Sequence, residues 1–188
     1  MEYHPELSGT PHVVSLGLLG KDIYRYYDEC APVSVALQTT VAMYPDLLSC
    51  ASDYPRENVQ IAVQPFERGS MLWVENPYYD SGTIWVIFYD GARNMLVNQS
   101  YIDMWREGLP LSDETPPPSL IAPIRGFGYV WRTYPEVRYN LGWATAPEQT
   151  GQGTAQMFRG GPWVIHRMGN NHVFILQVNG RADDIPRP

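Results

Sequence analysis

The apolar positions of this chain fall in short runs, each bounded by a glycine or a turn. Met71-Leu72-Trp73-Val74 and Trp163-Val164-Ile165 each follow a glycine, and Ile84-Trp85-Val86-Ile87-Phe88 and Val173-Phe174-Ile175-Leu176 run on towards Asp90-Gly91 and Asn179-Gly180. Runs of β-branched and aromatic residues between turn formers predict strands. Asp-Gly and Asn-Gly predict type I′ turns, whose central residues both need positive φ. Asn76-Pro77-Tyr78-Tyr79-Asp80-Ser81-Gly82 and Met168-Gly169-Asn170-Asn171 predict hairpin loops between the runs. A third strand is expected around Met95-Leu96-Val97, completing a small meander. The corresponding stretch 181–186 has little strand character and predicts a shortened element or a polar tail.

Three segments predict short helices. Residues 34–43 lack Gly and Pro and stop before Tyr44-Pro45, and residues 128–133 stop before Tyr134-Pro135. The residue before a proline is biased away from helical dihedrals, which sets both ends. Residues 100–107, closed by Gly108, put Tyr101, Met104 and Trp105 on one helical face. The stretch 109–123, with Pro116-Pro117-Pro118, can neither continue a helix nor donate to a central strand; it reads as a connector, partly polyproline II.

Blocks of the chain recur in order. Tyr44-Pro45-Asp46 matches Tyr134-Pro135-Glu136, and Leu48-Ser49-Cys50-Ala51 matches Leu141-Gly142-Trp143-Ala144. Gln64-Pro65-Phe66-Glu67-Arg68-Gly69 returns as Gln156-Met157-Phe158-Arg159-Gly160-Gly161, and the run 84–91 returns as 173–180. Internal repetition of this kind signals repeated supersecondary units. The expected fold is therefore mainly β with short helices, of the α+β class. It holds two tandem related hairpin or meander repeats packed pseudo-symmetrically: a segment 1–31 as cap or docking arm, repeat 1 over 32–108, the connector 109–123 and repeat 2 over 124–188.

The spacing from Leu141-Gly142-Trp143-Ala144 to Phe158-Arg159-Gly160-Gly161 resembles the Leu-Gly-Phe-Pro (LGFP) repeats of bacterial cell-surface and secreted proteins, over about 40–91 and 127–180. Gly126-Phe127-Gly128-Tyr129-Val130-Trp131 is similar to a stretch in two-copy tail domains of secreted bacterial proteins. Ala51 and Ala144 stand where the repeat has Pro, and Ser49 stands for Gly in the first copy, which weakens any transfer of ligand specificity. The resemblance implies an extracellular or cell-surface location, association with cell-wall glycan or other envelope proteins, and no catalytic residues. The N-terminus lacks the basic-then-apolar form of a secretory signal, so the expectation is that an export signal or anchor lies outside this sequence or on a partner.

Composition narrows the function classes. With a formal net charge of -7, Lys21 as the only lysine and no basic run, the chain lacks the basic stripe that a nucleic-acid binder needs. No apolar run reaches the roughly 20 residues of a transmembrane helix. Charged residues make up 18% and aromatics 13% of the chain. That balance also fits a subunit that buries area against neighbours, so a self-assembling structural component of a filament or surface layer is the alternative function.

Exposed Trp and Tyr are natural sugar platforms, since a flat ring stacks on the apolar face of a sugar while nearby polar groups orient it. The candidates are Tyr78, Tyr79, Trp85 and Trp143, while Trp73, Trp131 and Trp163 read as core and Gln64 and Gln156 as side chains that satisfy turn backbone. Cys30 and Cys50 form either a disulfide or two buried thiols. Cys50 with one of His4, His12, His166 or His172 would make a thiol hydrolase, yet the matching position in the second copy is Trp143. No metal-ligand spacing, Walker pattern or dinucleotide fingerprint occurs, so neither a metal nor a cofactor is expected.

Overall fold

The computed structural model describes residues 12–16, 21–25, 30–76, 81–109, 114–169 and 172–186. The chain divides into two units, Met1–Ala31 and Pro32–Pro188. In the first, β1 (His12–Leu16) and β2 (Lys21–Arg25) pair antiparallel, with His12 opposite Arg25 and Leu16 opposite Lys21.

The second unit is built on one antiparallel sheet. Its strands are β3 (Arg56–Phe66), β4 (Gly69–Val74), β5 (Thr83–Asp90), β6 (Met95–Ile102), β7 (Gln149–Met157), β8 (Trp163–Arg167), β9 (His172–Leu176) and β10 (Ala182–Pro186). They lie in the order β10-β9-β8-β7-β3-β4-β5-β6, so two four-strand meanders join through β3 and β7. The sheet curls until its ends meet: Val97 bridges Arg181, and Asn98 N donates to Gly180 O at 2.6 Å. The result is a nearly closed barrel, mainly β with short helices.

Alternation along each strand decides what fills the barrel. Ile61, Leu72, Trp85, Ile165 and Phe174 point inward and form one buried cluster. The intervening Met71, Ile84 and Val86 point outward and are buried beneath helices. Strand side chains alternate faces, so this sheet has two covered faces and two cores. On the outside of the first meander, α2 (Arg125–Thr133) and α3 (Pro135–Leu141) bury Phe127, Trp131 and Leu141. Proline sits at the first position of α3, where its missing N–H costs nothing. The second meander is met by a short 3-10 turn (Val35–Leu37) that leads into α1 (Gln38–Met43) and rests against β8. Leu37 and Leu48 are fully buried there.

The segments after the helices are hydrogen-bonded to residues at the ends of β3 and β7. Ser52 N donates to Met157 O and Thr145 N to Pro65 O, both at 3.0 Å. Arg159 N donates to Cys50 O at 2.8 Å, and Glu67 N to Trp143 O at 3.0 Å. Side chains add to these bonds: Gln156 Nε2 donates to Asp53 O and Gln64 Nε2 to Ala146 O.

Several sequence expectations need correction. Residues 100–107 are not helical: β6 runs to Ile102, and Asp103 then accepts from Trp105 N at 3.0 Å, an Asx turn that ends the strand. Residues 182–186 are a full strand, because pairing with β9 gives them a ladder that their composition does not advertise. Asp90-Gly91 makes no two-residue turn, since β5 and β6 are joined through residues 91–94 with Asn94 at φ 54°. The helix ending before Tyr134 is followed at once by α3.

Candidate functional site

At the end of the barrel where β3, β5 and β8 begin, a cavity of about 440 Å³ opens. Trp85 is 7% exposed, so its ring forms the floor. Trp163, half-buried, stands beside it with ring centroids 6.2 Å apart and planes tilted by 55°. A register shift between Arg56 and Val59, with Asn58 at φ 56°, marks a bulge in β3 at this rim. Bulges re-aim side chains, and here the Arg56 guanidinium lies 4.7 Å over the Trp163 ring. Asn76, Thr83, Asn98, Ser100 and Gln177 supply amides and hydroxyls around the rings. Asn98 donates through Nδ2 to Arg181 O at 2.6 Å and Gln177 O at 3.3 Å, which leaves its Oδ1 as an acceptor.

A second cavity, about 180 Å³, lies on the outer face of the sheet beside the start of α2. Trp73, Trp105 and Phe127 line it together with Asp103, Arg125 and Glu148. Burial is the main cause that raises the Glu148 carboxyl above its ordinary range; Arg125 opposes the rise and Asp103 adds to it. Among the described residues no ion pair joins Arg125 to either acid. The indole N–H groups of Trp73 and Trp105 are buried without a hydrogen-bond partner. Arg125 is held at φ 51°, an uncommon backbone for a non-glycine residue. The Asp103 carboxylate packs so closely on Gly126 that an added Cβ would lie 2.8 Å from its oxygens.

Of the aromatics singled out from sequence, Trp85 reaches a cavity. Trp143 does not: it packs on Trp131 with ring centroids 4.8 Å apart and has the Arg138 guanidinium 5.5 Å from its ring. Its indole thus belongs to the helix-covered core, because the turn that carries it is bound to Glu67 by backbone and side-chain hydrogen bonds. Tyr78 and Tyr79 lie outside the described residues. Trp131 is fully buried and donates from Nε1 to Gly142 O at 2.7 Å. Both cysteines, Cys30 and Cys50, are disulfide-bonded. Among the described residues no cluster of potential ligands could hold a metal ion, and no helix is long and apolar enough to cross a membrane.

Trp163 and Trp73, read from the sequence as core, line the two cavities, and Asp103, Arg125 and Glu148 were not found at all. The three charges come from three separate segments, so no local spacing announces them. Comparison with protein-family models, curated proteins and solved structures gives no match.

Proposed function

We propose that this chain is a non-catalytic binding domain of the bacterial cell envelope, similar to LGFP repeats, that takes a wall polysaccharide at the mouth of its barrel. The observation that carries this reading is the pairing of Trp85 and Trp163 with neutral amides and hydroxyls in one open cavity. Ring faces stack on the C–H faces of a sugar, while Asn98 Oδ1 accepts and the hydroxyls of Thr83 and Ser100 both donate and accept, as sugar hydroxyl groups require. The disulfide supports an oxidising, extracytoplasmic setting. It also occupies the sulfur of Cys50, which a thiol hydrolase would need as a free nucleophile.

The barrel in this reading is an internal duplication, with two repeats related by a pseudo-two-fold. The crossed hydrogen bonds support it, because they come in pairs whose donors and acceptors correspond under the sequence repeat: Ser52 to Met157 with Thr145 to Pro65, Arg159 to Cys50 with Glu67 to Trp143, and Gln156 to Asp53 with Gln64 to Ala146. Strand register supports it too. Gln60 pairs with Gln152 and Ile61 with Gly151. Each repeat's helices would then cover the other's meander, as the halves of an exchanged dimer do.

Light scattering with and without soluble wall glycan tests the function. The expected result is a monomer that binds glycan. Growth in mass with concentration and no glycan effect would favour the alternative, a self-assembling structural subunit.

A further inference from the structure

We propose that the cavity beside the start of α2 binds a small zwitterion of the α-amino-acid class, with its ammonium group on Asp103 and Glu148 and its carboxylate on Arg125. This site lies on the outer face of the sheet and does not depend on the carbohydrate reading of the barrel mouth.

Three formal charges line a space of about 180 Å³ without pairing to one another. Asp103 and Glu148 are half-buried while Arg125 is exposed, so water is partly excluded from the acids, which strengthens a partner that reaches them. A plain amine would answer the two acids but leave Arg125 unmatched, and a plain carboxylate would do the reverse. A ligand carrying both signs a short distance apart answers all three. Arg125 suits the acidic end, because a guanidinium takes a carboxylate through two parallel hydrogen bonds. Trp73, Trp105 and Phe127 suit the ammonium end, since aromatic rings attract desolvated cations. The raised Glu148 carboxyl agrees with this: burial outweighs the help from Arg125, and Asp103 adds to the cost of ionising it. The uncommon φ of Arg125, 51°, holds the guanidinium's backbone at the first residue of the helix.

Calorimetric titration of the full chain with alanine, propylamine and propionate, at matched ionic strength, tests the proposal. Alanine is expected to bind once per chain, with each single-charge analogue at least tenfold weaker. Arg125→Gln and Glu148→Gln, checked for folding by circular dichroism, are each expected to weaken alanine at least tenfold. No binding of alanine, alanine no tighter than propylamine or propionate, or alanine affinity unchanged in folded variants would overturn it. If a variant does not fold, the comparison of the three compounds on the unaltered chain still decides.

Discussion

The two faces of one sheet hold cavities of opposite character. Inside the barrel, Trp85 and Trp163 are ringed mainly by neutral groups, Asn76, Thr83, Asn98, Ser100 and Gln177; of the two charged groups there, Arg56 is turned onto a ring and Glu75 accepts from Gln60 N. Outside, at the edge of the helices, Asp103, Arg125 and Glu148 meet around Trp73, Trp105 and Phe127. Aromatic side chains are common to both, so they do not distinguish the ligands. The polar groups do: a ring made mostly of neutral hydrogen-bonding groups fits a polyhydroxylated ligand, and a cluster dominated by charges of both signs fits a charged one.

The largest expected effect is on the stability of the fold that carries both cavities. Trp131 is fully buried and hydrogen-bonded to Gly142 O, so Trp131→Ala is expected to cost about 3–5 kcal/mol, read as a lower urea midpoint. Replacing both Cys30 and Cys50 by serine comes next: opening the loop that their bond closes is expected to cost about 3 kcal/mol, again measured by urea unfolding. Trp163→Ala sharpens the contrast itself. It is expected to weaken wall glycan at least tenfold in calorimetry and leave alanine within about twofold, because Trp163 lines only the inner cavity.

The smallest effect is a pH slope. The Glu148 carboxyl is raised in the folded chain, chiefly by burial, so its contribution to stability is fully present below the ordinary carboxylate range. That contribution is lost as pH rises through its folded value, where the charge must form beside Asp103 and is only partly answered by Arg125. Urea midpoints between acid and neutral pH are expected to fall less steeply with pH in Glu148→Gln than in the unaltered chain. Parallel slopes would show that the carboxyl is not raised by folding.

Strands whose apolar residues are contiguous were legible in the sequence, and strands that carry little apolar character were not. The runs at Met71 and Ile84, and their counterparts at Trp163 and Val173, became β4, β5, β8 and β9. Strand β7, Gln149–Met157, holds two glycines and three glutamines, which no β-propensity favours. It is nonetheless central, between β3 and β8, and Gly153 explains why: an added Cβ would lie 2.2 Å from His166 O and 2.4 Å from Ile61 Cδ1. Close approach of neighbouring strands, a tertiary fact, selects glycine there. Tyr101, Met104 and Trp105 show how a helical spacing can mislead, since Tyr101 belongs to a strand and Trp105 to the turn after it. The inner cavity was partly legible through Trp85. The outer one was not, because residues 103, 125 and 148 meet only once the sheet and α2 are assembled.

The most direct test of the central claim is an NMR titration of the folded chain with a soluble wall oligosaccharide, following the indole N–H signals. The Trp85 and Trp163 signals are expected to shift and saturate together while those of Trp73 and Trp105 stay in place. Shifts confined to Trp73 and Trp105, or no shift in any indole at saturating oligosaccharide, would contradict it.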